Sequence, residues 1–236
     1  MRLDKFLQEK FNLKSRTYAE NLILTGQVTV DGKVILKPSF DASKNMNVEI
    51  KNDDNFASQG AYKLEEAFKI FDVDVKGKHC LDVGCSNGGF SDVLLRRGAQ
   101  HILAVDVAEC ALDESLLKSG RTEFLRANAR ELPIPDDTLD FVCSDVSFIS
   151  LTYILAEIYR VLKAGGDGVV LVKPQFELDK SALDKNGIVK NEKLRLKALD
   201  SVTEFAKRVG FSVVKTGTSP IRYQNKNVEY LLHLKK

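Results

Sequence analysis

A chain of 236 residues, 44% hydrophobic and 29% charged, has the material for one large domain and a small appendage. Its net charge of +2 does not by itself announce a nucleic-acid binder. No stretch approaches the roughly 20 apolar residues that cross a bilayer, and the opening MRLDKFLQEKF lacks the apolar centre of an export signal, so a cytoplasmic protein without a membrane span is expected.

Leu3, Phe6, Leu7 and Phe11 recur at helical spacing. Ser15 reads as the N-cap of a second helix, RTYAENLILTG, with Gly26 ending it. QVTVDGKVIL reads as a hairpin turning at Asp31-Gly32, and Asn47 to Ile50 as a further short strand. Residues 1–51 hold nine basic and six acidic residues, so this small unit carries the positive surplus. The polar stretch 52–60 breaks the pattern and reads as a linker before YKLEEAFKIF resumes helical periodicity at Tyr62.

From His79 onward strands and helices alternate. Strands are predicted over 79–84, 101–106, 122–126, 139–145 and 167–173, and helices over 90–98, 110–119, 151–163 and 192–209. This is the pattern of a doubly wound, mostly parallel α/β sheet. The ending departs from it: 211–220 and 227–234 are two strands with no helix between them, an antiparallel hairpin at one sheet edge that brings the strand total to seven. The predicted division is a small α+β unit over 1–51, a linker over 52–60 and a large Rossmann-like domain over 61–236.

Four cysteines, Cys80, Cys85, Cys110 and Cys143, show no C-x-x-C spacing, and His79, His101 and His233 lie far apart in predicted strands. Neither a disulfide framework nor a metal site is expected.

The most informative stretch is LDVGCSNGGF, Leu81 to Phe90. An apolar strand ends in Asp82 and Gly84, and a turn of small residues leads into a helix. The spacing does not fit G-x-G-x-x-G, which seats a pyrophosphate on a helix N-terminus. D-x-G-x-x-x-G-G suits a cofactor without phosphates whose amino-acid tail lies along the loop, and S-adenosylmethionine is that cofactor. Contacts are expected from Asp82, Gly84, Cys85, Ser86 and Asn87, and from Gly88, Gly89 and Phe90. The second strand ends at Asp106-Val107, where the carboxylate suits ribose hydroxyls. The third ends near Asn128-Ala129, beside the adenine, and Asp145 closes the fourth.

The fourth strand is not followed by the N-P-P-Y type of signature that accompanies many nitrogen methyltransferases. Asp145 stands there instead. Lys173 follows four apolar residues at the end of the fifth strand, a costly place for a lysine unless it faces a site. Lys63 precedes the sheet and Glu229 lies on the last strand; each is bland alone, and their order with Asp145 and Lys173 carries the information.

With these residues in view the chain resembles the TlyA-type ribosomal RNA 2′-O-ribose methyltransferases, often labelled hemolysin A, within the broader FtsJ-like group. LDVGCSNGGFSDVLL, AVDVA, NAR, DVSFISL, VKPQFE and NVEYLL match the methyltransferase part in order. The first fifty residues are similar to the small RNA-binding domain first seen in ribosomal protein S-four. Gln59 departs from the family's S-R-G-x-x-K-L, standing where an arginine is usual.

The resemblance implies methylation of a ribose 2′-hydroxyl, with cytidine in assembled ribosomal subunits as target. It assigns the family's K-D-K-E tetrad to Lys63, Asp145, Lys173 and Glu229. Lys173 would handle the hydroxyl proton or stabilise the alkoxide. Arg2, Lys5, Lys14, Arg16 and Lys33 would contact RNA phosphates, with Ser15 bonding a phosphate oxygen. Two rival expectations are an RNA-binding assembly factor on an inactive methyltransferase fold, and a membrane-active hemolysin, which the absence of a spanning or strongly amphipathic basic helix opposes.

Overall fold

The computed structural model describes residues 1–13, 15–24, 26–51, 56–109, 112–220 and 227–236. In the N-terminal unit, α1 (Leu3–Lys10) packs on α2 (Arg16–Leu24). The three strands β1 (Val28–Val30), β2 (Lys33–Val34) and β3 (Val48–Ile50) pair antiparallel in the order β2-β1-β3. Helical spacing puts Leu3, Phe6 and Leu7 on one face, where they meet Leu22, Ile23, Val28 and Val48 in a separate small core. The hairpin turns as expected at Asp31 and Gly32, both with positive φ, the twist that matches two antiparallel strands.

The remainder runs α3 (Gly60–Phe71), β4 (His79–Val83), α4 (Gly89–Arg96), β5 (His101–Asp106), α5 (Glu114–Lys118), β6 (Thr122–Arg126) and β7 (Leu139–Ser144). It continues with α6 (Leu155–Val161), β8 (Leu162–Val172), α7 (Pro174–Glu177), α8 (Glu192–Val209), β9 (Ser212–Thr218) and β10 (Tyr230–Lys235). The seven strands lie in the order β6-β5-β4-β7-β8-β10-β9. The pairings from β6 through to β8 are parallel, while β10 is antiparallel to both its neighbours.

Alternation along each strand divides the core in two. Leu81, Val83, Val142, Val170, Val172 and Leu232 face the side covered by α6 and α8. Cys80, Cys143, Val169, Leu171 and Leu231 face the side of α3 and α4, with Leu64, Phe68 and Val93. Strand order reverses around β4, and the carboxyl ends of β4 to β8 finish along one edge, where an open α/β sheet forms its ligand crevice.

Four boundaries differ from the sequence reading. The helix expected over 151–163 is a 3-10 turn, Leu151–Tyr153, followed by α6. β8 then begins at Leu162, five residues before the expected start, because Gly165, Gly166 and Gly168 hide a strand whose register with β7 shifts near its beginning. α5 is shorter than 110–119, since Asp113 caps it through the Ser115 amide; Cys110 and Ala111 lie outside the described residues. α3 starts at Gly60, within the expected linker. The stretch 174–191, where the pattern offered no element, contains α7 and a 3-10 turn, Lys180–Ala182.

Candidate functional site

Four charged side chains from four parts of the chain converge at this sheet edge. Lys63, on the first turn of α3, places Nζ 2.7 Å from Glu229 Oε2 and 3.1 Å from Asp145 Oδ2. The other oxygen of Asp145 lies 2.6 Å from Lys173 Nζ. Lys173 also donates to Ser147 Oγ at 2.8 Å and to the Asp145 carbonyl at 3.4 Å. The side chains are 14% (Lys63), 17% (Asp145), 8% (Lys173) and 18% (Glu229) exposed, so ion pairing rather than water balances their charge.

Topology explains the convergence. Asp145 follows β7 and Lys173 follows β8, and these are parallel neighbours, so both strands end on the same side. Glu229 precedes β10, which runs the other way, with Tyr230 opposite Val172; its start therefore lies beside the end of β8. Burial alone would pull the Lys63 pKa down, but Asp145 and Glu229 outweigh it and the amine is held above its ordinary value. Lys63 is a fixed cation between two carboxylates.

The tetrad lines a cavity of about 630 Å³ together with Ser147, Gln59, Gln175 and Asn186. Asp82, Gly84, Cys85, Ser86, Gly89 and Phe90 of the glycine-rich turn line it from the other side. A second cavity of about 610 Å³ adjoins it, sharing Gly84, Ser86, Asp145 and Ser147. Asp106, Val107, Asn128 and Ala129 line this second cavity.

The donor set fits a sulfonium cofactor with an amino-acid tail. Asp82 is fully buried: its Oδ2 accepts from the Ser91 amide (2.9 Å) and hydroxyl (2.7 Å), whereas Oδ1 has no partner among the described residues. Burial pushes its pKa up to about 7, the Ser91 bonds notwithstanding. Asp106 is oriented by the Ser86 amide at 3.1 Å and the Ala108 amide at 3.1 Å.

Asn87 and Gly88 line neither of these two cavities. Asn87 is exposed. Gly88 caps α4 at φ +87°, and a side chain there would collide with Leu116; one at Gly89 would collide with Ser58 Oγ. The bulky neighbours that demand these glycines are the chain's own α5 and the approach to α3.

The expected RNA contacts are engaged within the small unit. Arg2 and Arg16 are half exposed, and both grip the buried Asp4, Arg2 at 2.7 Å and Arg16 at 2.9 Å. These guanidinium bonds hold the Asp4 carboxyl well below the usual range. Ser15 Oγ accepts from the Tyr18 amide at 3.0 Å, capping α2. Lys5 pairs loosely with Glu9 at 3.7 Å, and Lys33 stands exposed on β2. Lys14 lies outside the described residues.

Sequence reasoning missed Ser147, Gln175, Asn186 and the exposed Phe148. Only Ser147 and Phe148 carried a signal, standing two and three positions after Asp145. Cys80, Cys85 and Cys143 are buried free thiols, and His233 is buried against Asp167 at 3.0 Å. Among the described residues no group of three or more His, Cys, Asp or Glu could hold a metal ion, and no helix is long and apolar enough to cross a membrane.

The strand order, the antiparallel β10 and the crevice at the turn after β4 define a Rossmann-like methyltransferase. The chain belongs to the FtsJ-like methyltransferase family, which matches residues 56–236, and an S4 domain matches residues 1–48. Hemolysin A of Brachyspira hyodysenteriae is 35% identical, covering 99% of each chain. The 16S/23S rRNA (cytidine-2'-O)-methyltransferase TlyA of Mycobacterium tuberculosis is 38% identical over 99% of this chain and 89% of its own. A solved structure from Streptococcus thermophilus, described as a candidate hemolysin, superimposes with a TM-score of 0.76 at 34% identity, covering 100% of this chain and 88% of that one.

Proposed function

We propose that this enzyme moves the methyl group of S-adenosylmethionine to a ribose 2′-hydroxyl of ribosomal RNA, with cytidine in assembled subunits as the target. The observation that carries the reading is the joined row Glu229–Lys63–Asp145–Lys173, which opens on a cavity adjoining the one that suits the cofactor. The bound cofactor supplies an electrophilic methyl group on sulfur. The chain's own task is to bring a weak nucleophile into line with it and to manage the nucleophile's proton.

Lys173 Nζ meets the hydroxyl oxygen, either taking its proton as a neutral amine or, as an ammonium, stabilising the oxyanion while the proton passes to solvent. Asp145 fixes the direction of that amine, and Lys63, a permanent cation, keeps Asp145 and Glu229 from repelling each other. Selection of the target rests on RNA shape and on flipping the nucleotide out of its helix, so that its 2′-hydroxyl can enter the cavity. Phe148, 91% exposed and lining the adjoining second cavity beside Asp145 and Ser147, offers its ring to the displaced base.

The same reading assigns residues 1–51 to RNA attachment, 52–60 to the connection and 61–236 to catalysis, in a cytoplasmic protein whose partner is the ribosomal subunit. Arg2, Arg16, Lys5, Lys33 and Lys14 would neutralise phosphates, giving salt-sensitive, sequence-tolerant affinity. The names of the relatives from Brachyspira hyodysenteriae and Mycobacterium tuberculosis support opposite activities; the paired cavities favour the methyltransferase.

The deciding experiment incubates purified ribosomal subunits with labelled cofactor and wild-type or Lys173→Ala protein, then digests the RNA to nucleosides. Label in 2′-O-methylcytidine with wild type alone is the expected result. An absence of label in RNA with wild-type protein would overturn the assignment.

A further inference from the structure

We propose that Glu177 is a positioning residue that sets the height and direction of Phe148, which lines the second cavity beside Asp145 and Ser147, by gripping the loop that leaves β7. The inference rests on the function proposed above and adds a residue to its machinery.

Lys173 caps α7 and Glu177 ends it, one helical turn apart, so both side chains look toward the same neighbouring segment. That segment is the loop from Asp145 to Leu151, and it is fastened at both ends. At one end Lys173 holds Asp145 and Ser147. At the other, Glu177 Oε2 accepts from Ser150 Oγ at 2.5 Å and Oε1 from the Leu151 amide at 2.9 Å. Ser150 in turn caps the 3-10 turn by accepting from the Thr152 amide at 3.2 Å, so its one hydroxyl proton is free to go to Glu177. Between the two fastenings, the rings of Phe148 and Phe176 lie with centroids 5.2 Å apart.

Phe148 sits at φ +65°, a left-handed conformation that a bulky residue adopts only when its surroundings impose it. With its ring exposed, little packing does so. The imposed geometry comes from the two clamps. Burial raises the Glu177 carboxyl above its ordinary value, and its bonds from Ser150 and Leu151 oppose that rise.

The test measures single-turnover methyl transfer to ribosomal subunits, with cofactor affinity followed separately by calorimetry. Glu177→Ala is expected to slow transfer about tenfold or more at saturating cofactor. Glu177→Gln is expected to recover the rate to within about threefold, because an amide still accepts from Leu151 and bonds Ser150. In a Phe148→Ala background, Glu177→Ala should add less than about twofold, since the two changes act through one element.

Full transfer by Glu177→Ala overturns the proposal. So does an undiminished loss on top of Phe148→Ala, or a glutamine variant as slow as alanine. If Glu177→Ala does not fold, Ser150→Ala removes the same clamp from the other side, and a wild-type rate there is equally fatal. A wild-type protein that methylates no RNA defeats the underlying function instead, so the two failures are distinguishable.

Discussion

Lys63 meets Glu229 at 2.7 Å from almost opposite ends of the methyltransferase unit, because β10 enters the sheet against the direction of β8. The pair is mostly shielded from water, so removing one partner strands the other. Lys63→Met should lower stability by about 2–4 kcal/mol. The double variant Lys63→Met with Glu229→Gln should regain much of that loss, since the stranded charge goes with it. Denaturant midpoints of the four proteins in the cycle check this; a purely additive double variant would show that the pair is not coupled.

Lys173 and Asp106 should separate chemistry from cofactor affinity. Lys173→Ala is expected to cut transfer by about 100-fold or more with cofactor Kd nearly unchanged, the loss typical of removing a group that acts in the transition state. Asp106→Ala should weaken cofactor binding while the tetrad stays intact. Calorimetry beside a labelled-methyl assay reads both, and comparable affinity losses in the two variants would argue against the assigned roles.

Asp82 predicts a pH dependence of stability. Its carboxyl titrates at about 7 in the folded protein, against an ordinary value of 3.8. The folded state therefore keeps a proton that the unfolded chain has already released. That contribution is fully present below about pH 4 and is lost as pH rises through 7. Asp82→Asn should flatten the decline between about pH 4 and 7, by an amount on the order of a few kcal/mol. Urea midpoints at the two pH values measure it, and parallel curves for both proteins would refute it.

Arg2 and Arg16 share the buried Asp4, which holds two guanidinium groups side by side at the surface. Replacing either with alanine should weaken RNA binding and reduce the slope of log affinity against log salt by about one for each phosphate no longer neutralised. Asp4→Asn should weaken binding too, through disorder of both arginines. Filter binding across a salt series gives the slope; an unchanged slope in Arg16→Ala assigns that residue to the fold alone.

Much of this is legible in the sequence, for reasons particular residues make plain. Helix α8 can be read with both its ends because Asn191 caps it and Gly210 ends it. The parallel strands announce themselves as apolar runs ending in Asp82, Asp106 and Asp145. β8 begins earlier than expected because three glycines carry no hydrophobic signal. The tetrad is recognisable only as an order of residues, since nothing local marks Lys63 or Glu229. Glu177 escapes notice because its partners, Ser150 and Leu151, are defined by a fold and not by a spacing.

The antiparallel β10 has a consequence for how the enzyme comes into being. It lies between β8 and β9, not at the rim of the sheet, and Glu229 stands at its threshold. As the polypeptide emerges during translation, Lys63, Asp145 and Lys173 are made long before the strand that must slide into this slot. Until it does, Lys63 has only one of its two acids. A half-made protein, however well its early strands have folded, holds an unfinished set of charges until β10 enters its slot.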